Sequence, residues 1–243
     1  MTEARLGTAQ LEVYLMLARK LLIISKGKAF VVPTFTGSHT VFGDAKKGYI
    51  EIYDSGTLTF EGNSIIDVCL IGGGKKGSQA SFATNGGTGG AGSAGQSYYK
   101  LTVNGDYAVV VGASEGNTSA FEHTQYAGGG AAGGAGAKNG SNGGDGSTGQ
   151  AVPFEGDSPE FISTLGGGGG GGGFYTGNTS YPSGKGGSNG GGRGGSANST
   201  QVTNGYPGVA NTGGGGGGGG GSPQAAERGG SGGSGLVIVR WGY

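Results

Sequence analysis

Few residues in this chain could do covalent chemistry. Its 243 residues include two histidines and one cysteine. Glu122 and His123 come nearest to an acid–base pair. They are neighbours in a segment read as a strand, where successive side chains point to opposite faces, so they cannot act together. His39, in GSHTVFGD, reads as a turn residue. Cys69 lies in the apolar run IIDVCLI and reads as a small buried hydrophobe. Two glycine-bearing segments carry cations. GGGKKGS (72–78) follows an apolar run but lacks the spacing of a phosphate-binding loop, and no helix is expected after it. GAGAKNG (134–140) fits a dinucleotide fingerprint only loosely and lies outside any βαβ unit. The expectation is a protein that is not an enzyme, without catalytic residues, metal or cofactor.

Charge narrows the partners. Lys+Arg and Asp+Glu number 15 each, so the net charge is zero. Such a balance gives no counterion-release drive toward nucleic acid. GRGG (192–195) and RGG (228–230) resemble RNA-binding repeats in only two isolated copies. No apolar run approaches the roughly 18 residues of a membrane span, so no membrane insertion is expected. A single cysteine excludes an intrachain disulfide framework. The opening MTEARLGTAQLEVYLMLARKLLIIS carries Glu3 and Glu12 early and lacks a small-residue cleavage site, so it does not read as a signal peptide.

Side chains that could bind without reacting sit between glycine tracts. AVPFEGDSPEFISTL (151–165) places Phe154 and Phe161 around Glu155, Asp157 and Glu160. FYTGNTSYPS (174–183) carries Phe174, Tyr175 and Tyr181, and NSTQVTNGYPG (198–208) carries Tyr206. Aromatic faces beside acids and amides suit sugar rings, whose C–H faces stack while their hydroxyls hydrogen-bond. They suit a protein loop equally well. The same aromatics could instead tuck back as small satellite cores.

These segments need a frame, and composition points to an unusual one. Apolar residues make 33% and charged residues 12%, while glycine numbers 66. Residues 1–64 hold seven glycines, and the other 59 fall in 65–243. The tracts carry a period of three. Glycine recurs at 86, 89, 92 and 95, at 140, 143, 146 and 149, and at 229, 232 and 235. Three residues per turn, with about 3.1 Å rise, is the period of the polyproline-II helix. Its N–H and C=O groups point outward, so glycine chains in this form can bond sideways into a bundle. A helix with neighbours all round must be bare, which assigns Gly166–Gly173 and Gly213–Gly221 to the interior. Edge helices can keep Ser, Thr, Asn or Asp outside. The competing reading is a disordered linker, favoured by composition alone. Each ordered glycine carries a deficit of about 0.5–1 kcal/mol relative to alanine, which only a dense hydrogen-bond lattice could offset.

Strands are expected at 28–35, 49–54, 57–60, 65–71, 97–103, 106–112, 119–123 and 236–241. Tyr49, Glu51 and Tyr53 alternate with Ile50 and Ile52 at period two. Asp54-Ser55-Gly56 reads as a turn, and Asn104-Gly105 as a hairpin turn. The apolar segment 236–241 must pair far back in sequence, with 65–71 or 106–112. The fold class is therefore mainly β, with a β-sandwich-like base and an inserted glycine-rich bundle of polyglycine-II helices. The boundaries fall at 1–48 for an N-terminal segment, 49–126 for the β-sheet base completed by 236–241, and 127–235 for the bundle. Residues 1–25 suggest a short helix or extended segment followed by a strand at 20–25, serving either as core or as a docking surface.

YDSGTLTF (53–60), IIDVCLIGGG (65–74), YYKLTVNGDYAVVVGAS (98–114) and GGSGGSGLVIVRW (229–241) occur in an order that resembles the glycine-rich tail-fibre proteins of phages and prophages. The chain is similar in a second way to the tip adhesins of T-even-like phages, which hold receptor-reading loops on polyglycine-II helices. The resemblance covers about 49–241. It implies a tail-fibre tip adhesin in a virion or phage-like tail, binding a bacterial surface glycan or outer protein. Residues 1–48 would then attach it to other fibre or baseplate subunits, as a single copy or a homotrimer. A structural fibre or baseplate component without its own receptor is the alternative. An ice-binding bundle is disfavoured because the loops are irregular and aromatic.

Overall fold

The computed structural model describes residues 30–82, 84–138, 140–151, 154 and 164–243. The architecture is mainly β and antiparallel, with no helix among the described residues. The strands are β1 (Thr34–Phe35), β2 (His39–Gly43), β3 (Gly48–Ile52), β4 (Gly56–Ile71), β5 (Gly95–Val110), β6 (Thr118–Ala120), β7 (His123–Gln125), β8 (Gln150–Ala151), β9 (Thr164–Leu165), β10 (Phe174–Thr176), β11 (Thr179–Tyr181) and β12 (Leu236–Trp241). Eight of them form one sheet in the order β2-β3-β12-β4-β5-β6-β7, with β1 added beside β4. β8–β9 and β10–β11 form separate two-stranded pairs.

β12 explains why the sheet closes late in the chain. Its six residues LVIVRW are buried throughout and lie between β3 and β4. Val239 faces Ile50 on one side and Val68 on the other. A strand buried on both faces needs apolar residues at every position, and this one has them at all but Arg240. The period-two alternation then feeds two clusters. Ile50, Ile52, Val68, Leu70, Val237, Val239 and Trp241 belong to the larger core, which also draws Phe60, Val103, Val109 and Phe121 from the far part of the sheet. The sheet thus encloses its main core by curling. The opposite face carries Tyr49, Cys69, Ile71, Leu236 and Ile238, covered by Phe154 and Leu165. Trp241 Nε1 donates to Asp44 O at 2.7 Å, and Phe30 stacks on the indole at 5.2 Å.

Several expectations about strands change. Segments 57–60 and 65–71 merge into β4, and 97–103 and 106–112 merge into β5. Asn104-Gly105 does not reverse the chain. Each half of β5 pairs with β4 instead, and the register slips between Phe60↔Gly105 and Ser64↔Val103. Gly105 still supplies the positive φ of +84° that the dipeptide favours, but a bulge uses it. The two halves of β5 would bury little against each other, whereas β4 offers a long apolar partner to both. The expected strand 119–123 is a β6–β7 hairpin, with Phe121 and Glu122 at positive φ in its turn. The pairing expected for 236–241 is with 66–71, not 106–112, and β3 is its second neighbour. The β2–β3 hairpin through 44–47 had no signal in the sequence reading. The expected helix and strand within 1–25 lie outside the described residues.

The glycine tracts run alternately away from the sheet and back. Tract 72–80 leaves it, 85–94 returns, and the later tracts repeat the excursion. Lateral backbone hydrogen bonds join them with a repeat of three. In Gly166–Gly173, the amides of 168 and 171 donate to Ser147 and Gly144. Those of 169 and 172 donate to Gly90 and Gly87, and those of 167, 170 and 173 to Asn189, Gly192 and Gly195. Carbonyls of the same run accept from Gly134, Gly184, Gly215 and their equivalents three residues along. Gly213–Gly221 is surrounded in the same way by 75–78, 87–93, 167–173, 192–195, 203–206 and 227–233. The spacing leaves no room for side chains. A Cβ on Gly169 would stand 2.0 Å from Gly216 O, and one on Gly171 would stand 1.8 Å from Ala135 O.

Candidate functional site

Turns gather where the tracts end away from the sheet, and short bridges tie them together. Ser81 pairs with Asn85, Asn85 with Lys138, and Lys138 with Ser141. Phe174 bridges Gly221, Gly221 bridges Ala226, and Ala197 bridges Val202. Local chemistry sets each turn. Asn178, at φ +67°, closes the β10–β11 hairpin beside Gly177. Asn198 Oδ1 accepts from the amides of Thr200 and Gln201, which folds 197–202 back on itself. Ser222 Oγ takes the amides of Gln224 and Ala225 in the same manner.

The aromatic candidates separate by environment. Phe174 is 1% exposed and fills the space beneath this end of the tracts. Tyr175 and Tyr181 are half-buried, and Tyr175 N donates to Gly221 O at 3.0 Å. Tyr206 is 53% exposed on the side of its tract, with the Arg193 guanidinium 5.9 Å from its ring. Phe154 lies at the sheet, buried beneath the Arg240 guanidinium at 4.2 Å and edge-on to Tyr99. Glu155, Asp157, Glu160 and Phe161 lie outside the described residues. The structure therefore brings Phe174, Tyr175 and Tyr181 together and holds Phe154 and Tyr206 apart from them.

Two features escaped the sequence reading. Phe82, at 64% exposure, stands in the 81–85 turn among small residues, where a single aromatic gave no pattern. A groove lies between the β10–β11 hairpin and the 193–198 stretch, lined among others by Ser183, Lys185, Arg193, Ser196 and Asn198. Its lining draws on the flagged segments 174–183 and 198–208 and on Arg193 of GRGG, but nothing in the sequence brought these together with Lys185.

Electrostatic perturbation is concentrated in the sheet. Arg240 is buried and paired with Asp67 at 2.9 Å. Burial raises the Glu51 carboxyl above its ordinary range, and the Tyr53 hydroxyl donating to it offsets part of that. Burial also pushes the Cys69 thiol up to about 12, so it stays protonated and unreactive at neutral pH. These groups stabilise or tune the sheet and form no nucleophile–base arrangement among the described residues.

The model of a glycine-rich domain family matches residues 53–242. No curated protein matches the chain.

Proposed function

We propose that this chain, which belongs to the glycine-rich domain family, is the receptor-binding tip of a phage or phage-like tail fibre. On this reading the tracts are polyglycine-II helices packed as a bundle. The three-residue repeat of their lateral hydrogen bonds supports this, and so does the position of the two uninterrupted glycine runs, each bonded to tracts on every side. The boundaries drawn from sequence, 49–126 with 236–241 for the base and 127–235 for the bundle, belong to the same proposal. Residues 1–48 would attach the tip to fibre or baseplate subunits, on a particle outside the cell.

The observation that carries the reading is the set of turns grouped at one end of a frame without side chains. A lattice of backbone bonds has no specificity of its own. It can hold loops in one arrangement before a partner arrives, which lowers the entropy cost of binding. Tyr175 and Tyr181 on the hairpin, with Tyr206 exposed along the side, supply amphipathic rings suited to a surface glycan or an outer protein.

Fluorescently labelled protein should bind intact cells of at least one strain in a broad bacterial panel. Replacing Tyr175, Tyr181 and Tyr206 together by serine should weaken that binding about tenfold or more while the fold persists, as expected when hot-spot aromatics are removed. Periodate and protease treatment of the cells would tell sugar from protein. A folded wild-type chain that binds no strain would favour a structural fibre or baseplate component instead.

A further inference from the structure

We infer that the groove beside the β10–β11 hairpin is a site for an acidic sugar, a glycosyl unit carrying a carboxylate or a phosphate. The inference rests on the tip-adhesin reading for its biological role, though not for its chemistry. Its floor is set by backbone. Gly194 N donates to Gly184 O at 3.1 Å, so Lys185 and Arg193 lie on adjoining tracts, side by side. Both are exposed and line the groove. Among the described residues neither forms an ion pair, whereas Lys76 and Arg240 do.

The carboxylate nearest in the hydrogen-bond network, Asp145, bonds the backbone of Lys185 and forms no ion pair with either cationic side chain among the described residues. Asp145 Oδ1 accepts the backbone amide of Lys185 at 2.7 Å, which fixes that tract. Arg193 reaches only a weak bond to Ser196 Oγ at 3.3 Å. Two cations thus line one groove without an ion-pair partner among the described residues, where like charges repel unless an anion comes between them. Uncharged groups complete the chemistry. Ser183 and Ser196 hydroxyls and the Asn198 side chain line the same groove and can both donate to and accept from sugar hydroxyls. Outside the groove lining, Tyr206 neighbours Arg193, its amide bonded to Arg193 O at 2.9 Å and its ring 5.9 Å from the guanidinium, where an exposed face is left for the apolar side of a pyranose. A nucleic acid would need a longer run of positive charge than two residues. A bare inorganic anion would leave the hydroxyls and the ring unused.

The test uses the whole chain, labelled with nitrogen-15 and titrated at low salt with glucuronate, glucose 6-phosphate, glucose and inorganic phosphate. Glucuronate or glucose 6-phosphate should shift the amides of Lys185, Arg193 and Ser196, and the two sugars separate carboxylate from phosphate preference. Glucose and inorganic phosphate should each bind about tenfold more weakly, since each lacks half of the contacts. Lys185→Gln with Arg193→Gln should abolish the shifts while the remaining spectrum stays unchanged. Equal binding of glucose, or charged-sugar binding that survives both substitutions, would overturn the assignment. The same double variant in the cell assay keeps the two readings separable. Wild-type adhesion that is indifferent to both substitutions, with no sugar shifts, defeats the groove and leaves the adhesin. Sugar shifts without adhesion to any strain support the groove and defeat the adhesin.

Discussion

Glu51 shows how a single residue in the sheet couples stability to pH. It is buried, and desolvation raises its carboxyl above the ordinary value of 4.5. Between 4.5 and the raised value, the folded state binds a proton that the unfolded state has released. Stability must then fall as pH rises through that window, and the loss persists above it. Glu51→Gln removes the charge and still leaves Tyr53 an amide oxygen to donate to. Its melting temperature should exceed that of the wild type at pH 7, with the advantage shrinking toward pH 4. Thermal melts across that range check this, and a variant less stable at pH 7 would contradict it. Alternation in YIEIY made the burial of Ile50 and Ile52 legible from sequence. The burial of Glu51 and Arg240 was not, because it depends on β12 arriving from the far end of the chain.

At the scale of elements, the tracts and the strands obey different rules. A strand tolerates one substitution through its side-chain partner, whereas a tract packed backbone to backbone tolerates none. Gly169→Ala would place a methyl 2.0 Å from Gly216 O, and overpacking of this kind costs about 1–3 kcal/mol or more. Gly129 has nothing within 4 Å of an added Cβ and no positive φ. Gly129→Ala should be neutral or gain about 0.4–1 kcal/mol by restricting the unfolded chain. Denaturant melts of the two variants should therefore move in opposite directions or differ by more than the error. Equal effects would mean that the tracts are not closely packed. The period of three was readable because the lateral backbone hydrogen bonds of the tracts repeat every three residues. The β5 bulge was not, since Asn-Gly serves a hairpin and a bulge through the same positive φ. Only the long partner β4 decides between them.

In the described residues a curled sheet is continuous with the glycine tracts, since β4 runs directly into one and β5 and β12 each run directly out of one. That continuity ties the order of the tracts to the stability of the sheet. Sequence located the tracts and the segments between them, but not which turns share an end. Phe154, read among the candidate binding aromatics, lies at the sheet, whereas Phe82, which gave no signal in the sequence, lies at the opposite end, and only the direction of each tract separates them. The central claim is that the tracts form an ordered, hydrogen-bonded frame. Amide hydrogen exchange of the folded chain tests it most directly. The amides of Gly166–Gly173 and Gly213–Gly221 should be protected to a degree comparable with β4 and β12, as expected for buried, bonded groups. Exchange at the rate of unstructured glycine peptide, while β4 and β12 stay protected, would contradict the account.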